Sequence, residues 1–171
     1  MTTSFAATGY TLRPAATDQT AITLDAIASG EAEALGEAFA AIQPWVSYPY
    51  PAAGLAKYFA DVEPGAPRFA LRSDGALCGA VGLRLNWLRG PYLQFLGILP
   101  VCEGKGLGHL VLEWLEAEAR TANERNLWVA ASDFNADAIR FYNRYGFAVV
   151  ASLPDLVRDG RSELLMRRKL A

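Results

Sequence analysis

The stretch PVCEGKGLGHLVLEWLEAEAR, Pro100 to Arg120, sets three glycines and a lysine at the start of an apolar pattern with helical spacing. Leu107, Leu110, Val111, Trp114, Leu115 and Ala119 mark one helix face, and Glu116 and Arg120 form an i,i+4 pair on the other. The preceding segment PYLQFLGIL reads as a strand. A strand therefore ends, glycines let the backbone approach a ligand, and a helix begins with unpaired N–H groups at its positive dipole end. The same residues suit a turn that merely reverses the chain. Two familiar phosphate cradles are excluded. Gly104-Lys105 is followed by Gly106 instead of Ser or Thr, and Leu99 and Cys102 stand where a nucleoside-triphosphate loop needs other residues. A dinucleotide fingerprint requires a third glycine where His109 stands, on a strand that opens a βαβ unit.

Upstream of this loop, RFALRS, ALCGAVGLRLNWL and PYLQFLGIL are three predicted strands, separated by the turn residues Asp74-Gly75 and Arg89-Gly90-Pro91. Before them, AITLDAI reads as a first strand. Ser29 is placed to cap a helix carrying Ala32, Leu35, Phe39 and Ile42, and Pro44 ends it. The turn-rich aromatic segment PWVSYPYPAAG leads into a short helix with Leu55, Tyr58 and Phe59. Downstream come the strand NLWVAAS, the helix NADAIRFYNRYGF closed by Gly146, and the strands FAVVASL and SELLMRRKL. A meander feeding a βαβ unit gives an α+β (α/β) fold, a mixed sheet with helices on both faces. Residues 1–20 are weakly patterned and are expected to form an extension, with residues 21–171 as a single domain.

The 171 residues supply one core, and their net charge of −2 argues against nucleic-acid binding through an overall field. Cys78 and Cys102 offer neither a disulfide framework nor metal-ligand spacing, and His109 is the sole histidine, so no metal is expected. Cys102 reads as a small buried residue rather than a nucleophile. No leader pattern or apolar run of membrane-spanning length is visible, which makes a reducing cytoplasm the expected location and no membrane the expected partner.

Two motifs together, ILPVCEGKGLG (Ile98 to Gly108) and NADAIRFYNRYGF (Asn135 to Phe147), resemble those of the Gcn5-related N-acetyltransferase (GNAT) family. In that family a strand with a Val-x-Pro-like end precedes an Arg/Gln-x-x-Gly-x-Gly/Ala loop. Asn135, Ala138, Phe141-Tyr142 and Gly146-Phe147 match the later motif in order and spacing. The resemblance implies a mostly antiparallel sheet of six to seven strands and acetyl-CoA as cosubstrate. It implies cofactor contacts from Leu96, Gly97, Ile98, Gly104, Lys105, Gly106, Leu107, Gly108, His109, Asn135 and Tyr142. Backbone N–H groups near Ile98 are expected to polarise the thioester carbonyl, and Tyr142 is the expected general acid for the departing thiolate. Tyr142 also suits a core aromatic, and Asn135 a plain helix cap.

This chain departs from the family by carrying Glu103 where Arg or Gln is usual. At ~4 Å a carboxylate repels a phosphate charge by about 1 kcal/mol in water-like dielectric, and little if it faces solvent. Lys105 is placed either to restore the balance or to remain an ordinary loop lysine. No general base is evident: Ala130 and Gln94 occupy the positions where relatives carry acids, leaving Asp133, Asp155, Glu163 or a water relay. His109 is assigned to the phosphate or to solvent rather than to the base. Trp45, Tyr48, Trp87, Tyr92 and Gln94, with Tyr50 nearby, are the expected acceptor-site residues, although each aromatic also suits core packing. The expected activity is direct transfer of acetyl to a primary amine of a small molecule, amino acid or peptide in a ternary complex, by a monomer or homodimer. The alternative from another class is a non-catalytic acyl-CoA binding or sensing module.

Overall fold

The computed structural model describes residues 4–14, 19–48 and 50–170. The elements run β1 (Gly9–Arg13), β2 (Ile22–Asp25), α1 (Glu31–Ala40), α2 (Ala52–Ala60), β3 (Arg68–Ser73), β4 (Ala76–Trp87) and β5 (Gly90–Ile98). They continue with α3 (Leu107–Thr121), β6 (Asn126–Ser132), α4 (Ala136–Arg144), β7 (Ala148–Pro154) and β8 (Ser162–Lys169). The strands form one sheet in the order β1-β2-β3-β4-β5-β6-β8-β7, antiparallel throughout except at β5 and β6.

The sheet has eight strands, one more than the upper expectation, because residues 1–20 are not simply an extension. Gly9–Arg13 pairs with β2 as an edge strand, and Phe5 packs edge-on against Trp114 of α3 with ring centroids 5.9 Å apart. Positions 1–3 and 15–18 of that segment lie outside the described residues. Ser29 does not cap α1 either. Gly30 holds the N-cap position in a left-handed conformation, and the Glu31 carboxylate accepts from the Ala28 N–H at 2.7 Å. Glu31 also takes a two-pronged hydrogen bond from Arg72 of β3, both arms 2.8 Å, which holds its carboxyl below the usual range.

Helices cover both faces. Against one face α3 buries Leu107, Val111, Leu112 and Leu115 on Leu71, Leu83, Leu127 and Met166, each such side chain contributing about 1.5–3 kcal/mol. Against the other, α1 and α2 bury Leu35, Phe39, Leu55 and Phe59 on Ala80 and Phe95. Among the described residues no helix is long and apolar enough to cross a membrane.

The feature that shapes the site is a β-bulge. Gly82 pairs with Phe95 but Leu83 pairs with Leu93, so Gln94 is an extra residue in β5. A bulge breaks the two-residue alternation and bends its strand. Leu93 accordingly faces the α3 side while Phe95 faces α1 and α2. Pairing of β5 with β6 stops at the same place: only Tyr92 with Trp128 and Leu93 with Val129 are in register, and the strands diverge beyond.

The two cysteines are joined, against the expectation of a small buried thiol at position 102. Cys78 of β4 and Cys102 form a disulfide with Cα atoms 5.5 Å apart. The pairing depends on folding: the short 3-10 turn Pro100–Cys102 returns the chain after β5 to lie over β4, where Leu99 N–H donates to Cys78 O at 2.8 Å.

Candidate active site

The divergence of β5 and β6 opens a cleft of about 330 Å³, walled by Gln94 to Leu96 of β5, Ala130 to Ser132 of β6 and Glu163 of β8. Asn135, Ala138 and Tyr142 close one side, and Trp45, Tyr48 and Tyr50 from the segment between α1 and α2 cover it. A larger cavity of about 470 Å³ lies between the start of α1 and the end of α2. It contains none of the motif residues, and its Arg68 guanidinium already donates to the Asp61 and Ala66 carbonyls.

Within the cleft the free edge of β5 has a defined polarity. Leu99 N–H donates towards β4, so by strand alternation Gly97 also faces β4 while the N–H groups of Leu96 and Ile98 face the unpaired side. Gly97 has a different duty: a Cβ there would lie 2.5 Å from the Phe39 ring, so only glycine lets α1 pack onto this strand.

Two residues past β5 the glycine loop begins. Gly104 and Gly106 both adopt φ of 73°, and Gly106 is the N-cap of α3 with no side-chain cap. None of the N–H groups of Gly104, Lys105, Gly106, Leu107, Gly108 and His109 donates to another described protein group. Glycines 104 and 106 are exposed, Leu107 buries its side chain in the core, and Gly108 leaves room for Phe141, whose ring would stand 3.1 Å from a Cβ. A set of free backbone donors at a helix N-terminus is able to hold an anion. Glu103 and Lys105 are exposed and form no ion pair among the described residues. The His109 imidazole lies along the helix, 3.3 Å from Glu113 and edge-on to Tyr145, so its contribution to the cradle is its N–H.

Asn135 follows β6 as the N-cap of α4, its Oδ1 accepting from Ala138 N–H at 3.1 Å. The capping role therefore holds, and the Nδ2 donor is left over at the cleft. Tyr142 on α4 is 8% exposed, packed between Phe141 and Phe147, and its hydroxyl bonds to no described residue. Burial pushes this phenol well up, so it holds its proton as a donor. Gly146 at φ 97° ends α4, and Phe147 N–H returns to Tyr142 O at 3.0 Å.

Of the expected acceptor residues, Trp45, Tyr48, Tyr92 and Gln94 line the cleft. Trp45 stacks on Phe95 with centroids 4.8 Å apart, and Gln94 accepts a hydrogen bond from Tyr58 at 3.3 Å. Burial, then the charge of Glu163, pushes the Tyr92 phenol up to about 12. Trp87 is not brought in. It sits at the far end of the β4–β5 hairpin, half-exposed, against the outer side of Tyr92 at 5.3 Å. Of the three carboxylates, Asp133 pairs with Arg161 at 2.9 Å and Asp155 accepts from Gly160 N–H at 2.6 Å, both organising loops. Glu163 is instead 9% exposed and faces the cleft, where its Oε1 accepts from the Tyr48 hydroxyl at 2.6 Å. The sequence signal for it was weak: SELLMRRK alternates imperfectly, and only the pairing of Ser132 with Glu163 puts that end of β8 beside the splay.

The model of the acetyltransferase (GNAT) family matches residues 32–147, more than half of the chain. The chain belongs to the GNAT family. It is 33% identical over 87 residues to the aminoalkylphosphonate N-acetyltransferase of Salmonella typhimurium, a match covering 47% of this chain and 54% of that protein. The chain thus matches about half the length of such curated relatives. Two solved structures share the fold. The ribosomal-protein-S18-alanine N-acetyltransferase of Escherichia coli superposes with a TM-score of 0.69 at 17% identity, over 88% of this chain and 94% of that one. The yncA protein of Salmonella typhimurium, solved with its cofactor acetyl-CoA, gives 0.63 at 21% identity, over 88% and 94%. The eight-stranded mixed sheet is therefore a GNAT sheet.

Proposed function

We propose that this GNAT protein is an acetyl-CoA-dependent N-acetyltransferase that acetylates a primary amine of a small molecule, amino acid or peptide by direct attack in a ternary complex. The observation that carries this reading is the bulge at Gln94. It turns the N–H groups of Leu96 and Ile98 to the open side of β5, where Leu96 lines the same cleft as Tyr142, and the chain then runs on into six N–H groups with no partner among the described residues.

Those six groups fit an anionic pyrophosphate, and the Glu103 side chain beside them is exposed to water, where its repulsion of a phosphate is small. Gly104 to His109 would hold the pyrophosphate, Lys105 adding positive charge from its exposed side chain, while Asn135 and the free edge of Leu96 and Ile98 would hold the pantetheine arm. Acetyl-CoA supplies an acetyl group activated as a thioester. The N–H groups of Leu96 and Ile98 would bind the thioester carbonyl oxygen, where negative charge develops. Tyr142, kept protonated by burial, would donate its proton to the departing thiolate, while the proton that the amine nitrogen sheds would pass to water. Trp45, Tyr48, Tyr92 and Gln94 bound the space left for the amine.

Thermal unfolding with saturating acetyl-CoA, CoA and ATP tests the reading. A ligand at 100 times its Kd adds about 2.7 kcal/mol, which raises the midpoint by roughly 5 °C or more for this size. Stabilisation by both CoA species and not by ATP, followed by thiol release with amines, supports a transferase. Binding without thiol release would make the protein an acyl-CoA sensor.

A further inference from the structure

Glu163 is the buried charge that acetyl transfer as described leaves without a task. It is 9% exposed, and its single described hydrogen bond is the one that Oε1 accepts from Tyr48 at 2.6 Å. No cation among the described residues pairs with it. The nearby arginines are engaged elsewhere: Arg161 pairs with Asp133 at 2.9 Å, and Arg158 donates to the Ser47 carbonyl at 2.9 Å. A carboxylate withdrawn this far from water needs a countercharge or a full set of donors, and one phenol does not supply it. Its Oε2 is without a protein partner yet is not sealed off, on a residue that walls the cleft.

The surroundings suit a cation. Tyr48, Tyr50 and Tyr92 all line the same cleft, with the rings of Tyr48 and Tyr50 5.7 Å apart. All three phenols are pushed up, first by burial and then by Glu163, through the hydrogen bond for Tyr48 and through its charge for Tyr50 and Tyr92, so they remain neutral and present π faces. A carboxylate beside neutral aromatic faces is a site for an ammonium group. The nitrogen held there cannot also be the nucleophile, because pairing with the carboxylate keeps it protonated and without a lone pair.

We propose that Glu163, positioned by Tyr48, binds a spectator ammonium of the acceptor, so that the substrate is a diamine or a larger amine with two basic nitrogens, one anchored and one acetylated. This rests on the transferase reading above for the fate of the second nitrogen.

The test is calorimetric titration of the full chain, saturated with CoA, with 1,5-diaminopentane and with 1,5-pentanediol, which has the same length and no ammonium. The diamine is expected to bind roughly 30-fold more tightly or better, and Glu163→Gln to lose that advantage. Equal affinity of the unmodified protein for the two ligands overturns the proposal without any variant, as does undiminished diamine preference in Glu163→Gln. Thiol release from acetyl-CoA separates the two readings. Glu163-dependent diamine binding with no thiol release sinks the transferase and leaves the ammonium site. Release that is equally efficient with 1,5-diaminopentane and with 5-amino-1-pentanol, whose one nitrogen cannot be both anchored and acetylated, sinks the ammonium site and leaves the transferase.

Discussion

Tyr142 is held by packing against Phe141 and Phe147, and its hydroxyl has no partner among the described residues. Removing that oxygen therefore breaks no internal hydrogen bond, and Tyr142→Phe is expected to leave the unfolding midpoint and acetyl-CoA affinity nearly unchanged. Turnover should fall by about 10²–10⁴, the usual contribution of a positioned acid; steady-state thiol release with calorimetry checks both halves, and unchanged turnover would remove Tyr142 from the chemistry. The pH profile follows from the same residue and the free amine. Because burial raises the phenol, no alkaline loss of the acid is expected up to ~10, while the acceptor gains its lone pair as pH approaches the ordinary amine value of ~10. kcat/KM should therefore climb with unit slope between neutral pH and the amine pKa. A plateau near neutral pH would mean that a protein group takes the proton first. The Asn135 cap is legible because its motif is local, whereas the sequence offers Glu163 only as one of three carboxylates near the cleft: what singles it out is Tyr48, 115 positions away.

At the level of elements, the sequence identifies the helices and strands well, since each carries its own periodicity and turn residues. Register is another matter. The alternation in PYLQFLGIL puts Leu93 and Phe95 on one face, and β4 pairing puts them on opposite faces with Gln94 bulged between. The information sits in the partner strand, so no window along the chain contains it. Gly97 shows the same dependence on a distant partner, because what excludes a side chain there is Phe39 on α1. Gly97→Ala is expected to destabilise by about 1–3 kcal/mol, the cost of inserting a methyl into filled space. Denaturant unfolding checks it, together with weakened acetyl-CoA binding, because β5 must shift to relieve the contact. Stability equal to the parent protein would show that α1 can move away freely.

Across the whole molecule, the chain end before the sheet and the covalent link within it both change how the site is braced. β1 extends the sheet beyond β2, and Phe5 N–H donates to Glu118 of α3 at 2.8 Å, so the N-terminal segment braces the helix whose first turn forms the proposed anion cradle. On the other side of that cradle, the Cys78–Cys102 disulfide ties the turn preceding the glycine loop to β4 across 24 residues of sequence. Both sulfur-bearing residues are buried, at 1% and 5% exposure, in the core that α3 shares with the sheet. Closing a loop of this length restricts the unfolded chain by about 3 kcal/mol. A Cys78→Ala/Cys102→Ala double variant is therefore expected to unfold roughly 10 °C lower and to bind acetyl-CoA more weakly, because the loop start loses its anchor on β4. Both effects are read in one thermal titration against cofactor concentration. A midpoint within a degree of the parent would show that the link adds nothing to the packing around it, while a lower midpoint with unchanged affinity would confine the disulfide to stability and leave the α3 helix as the sole organiser of the cradle.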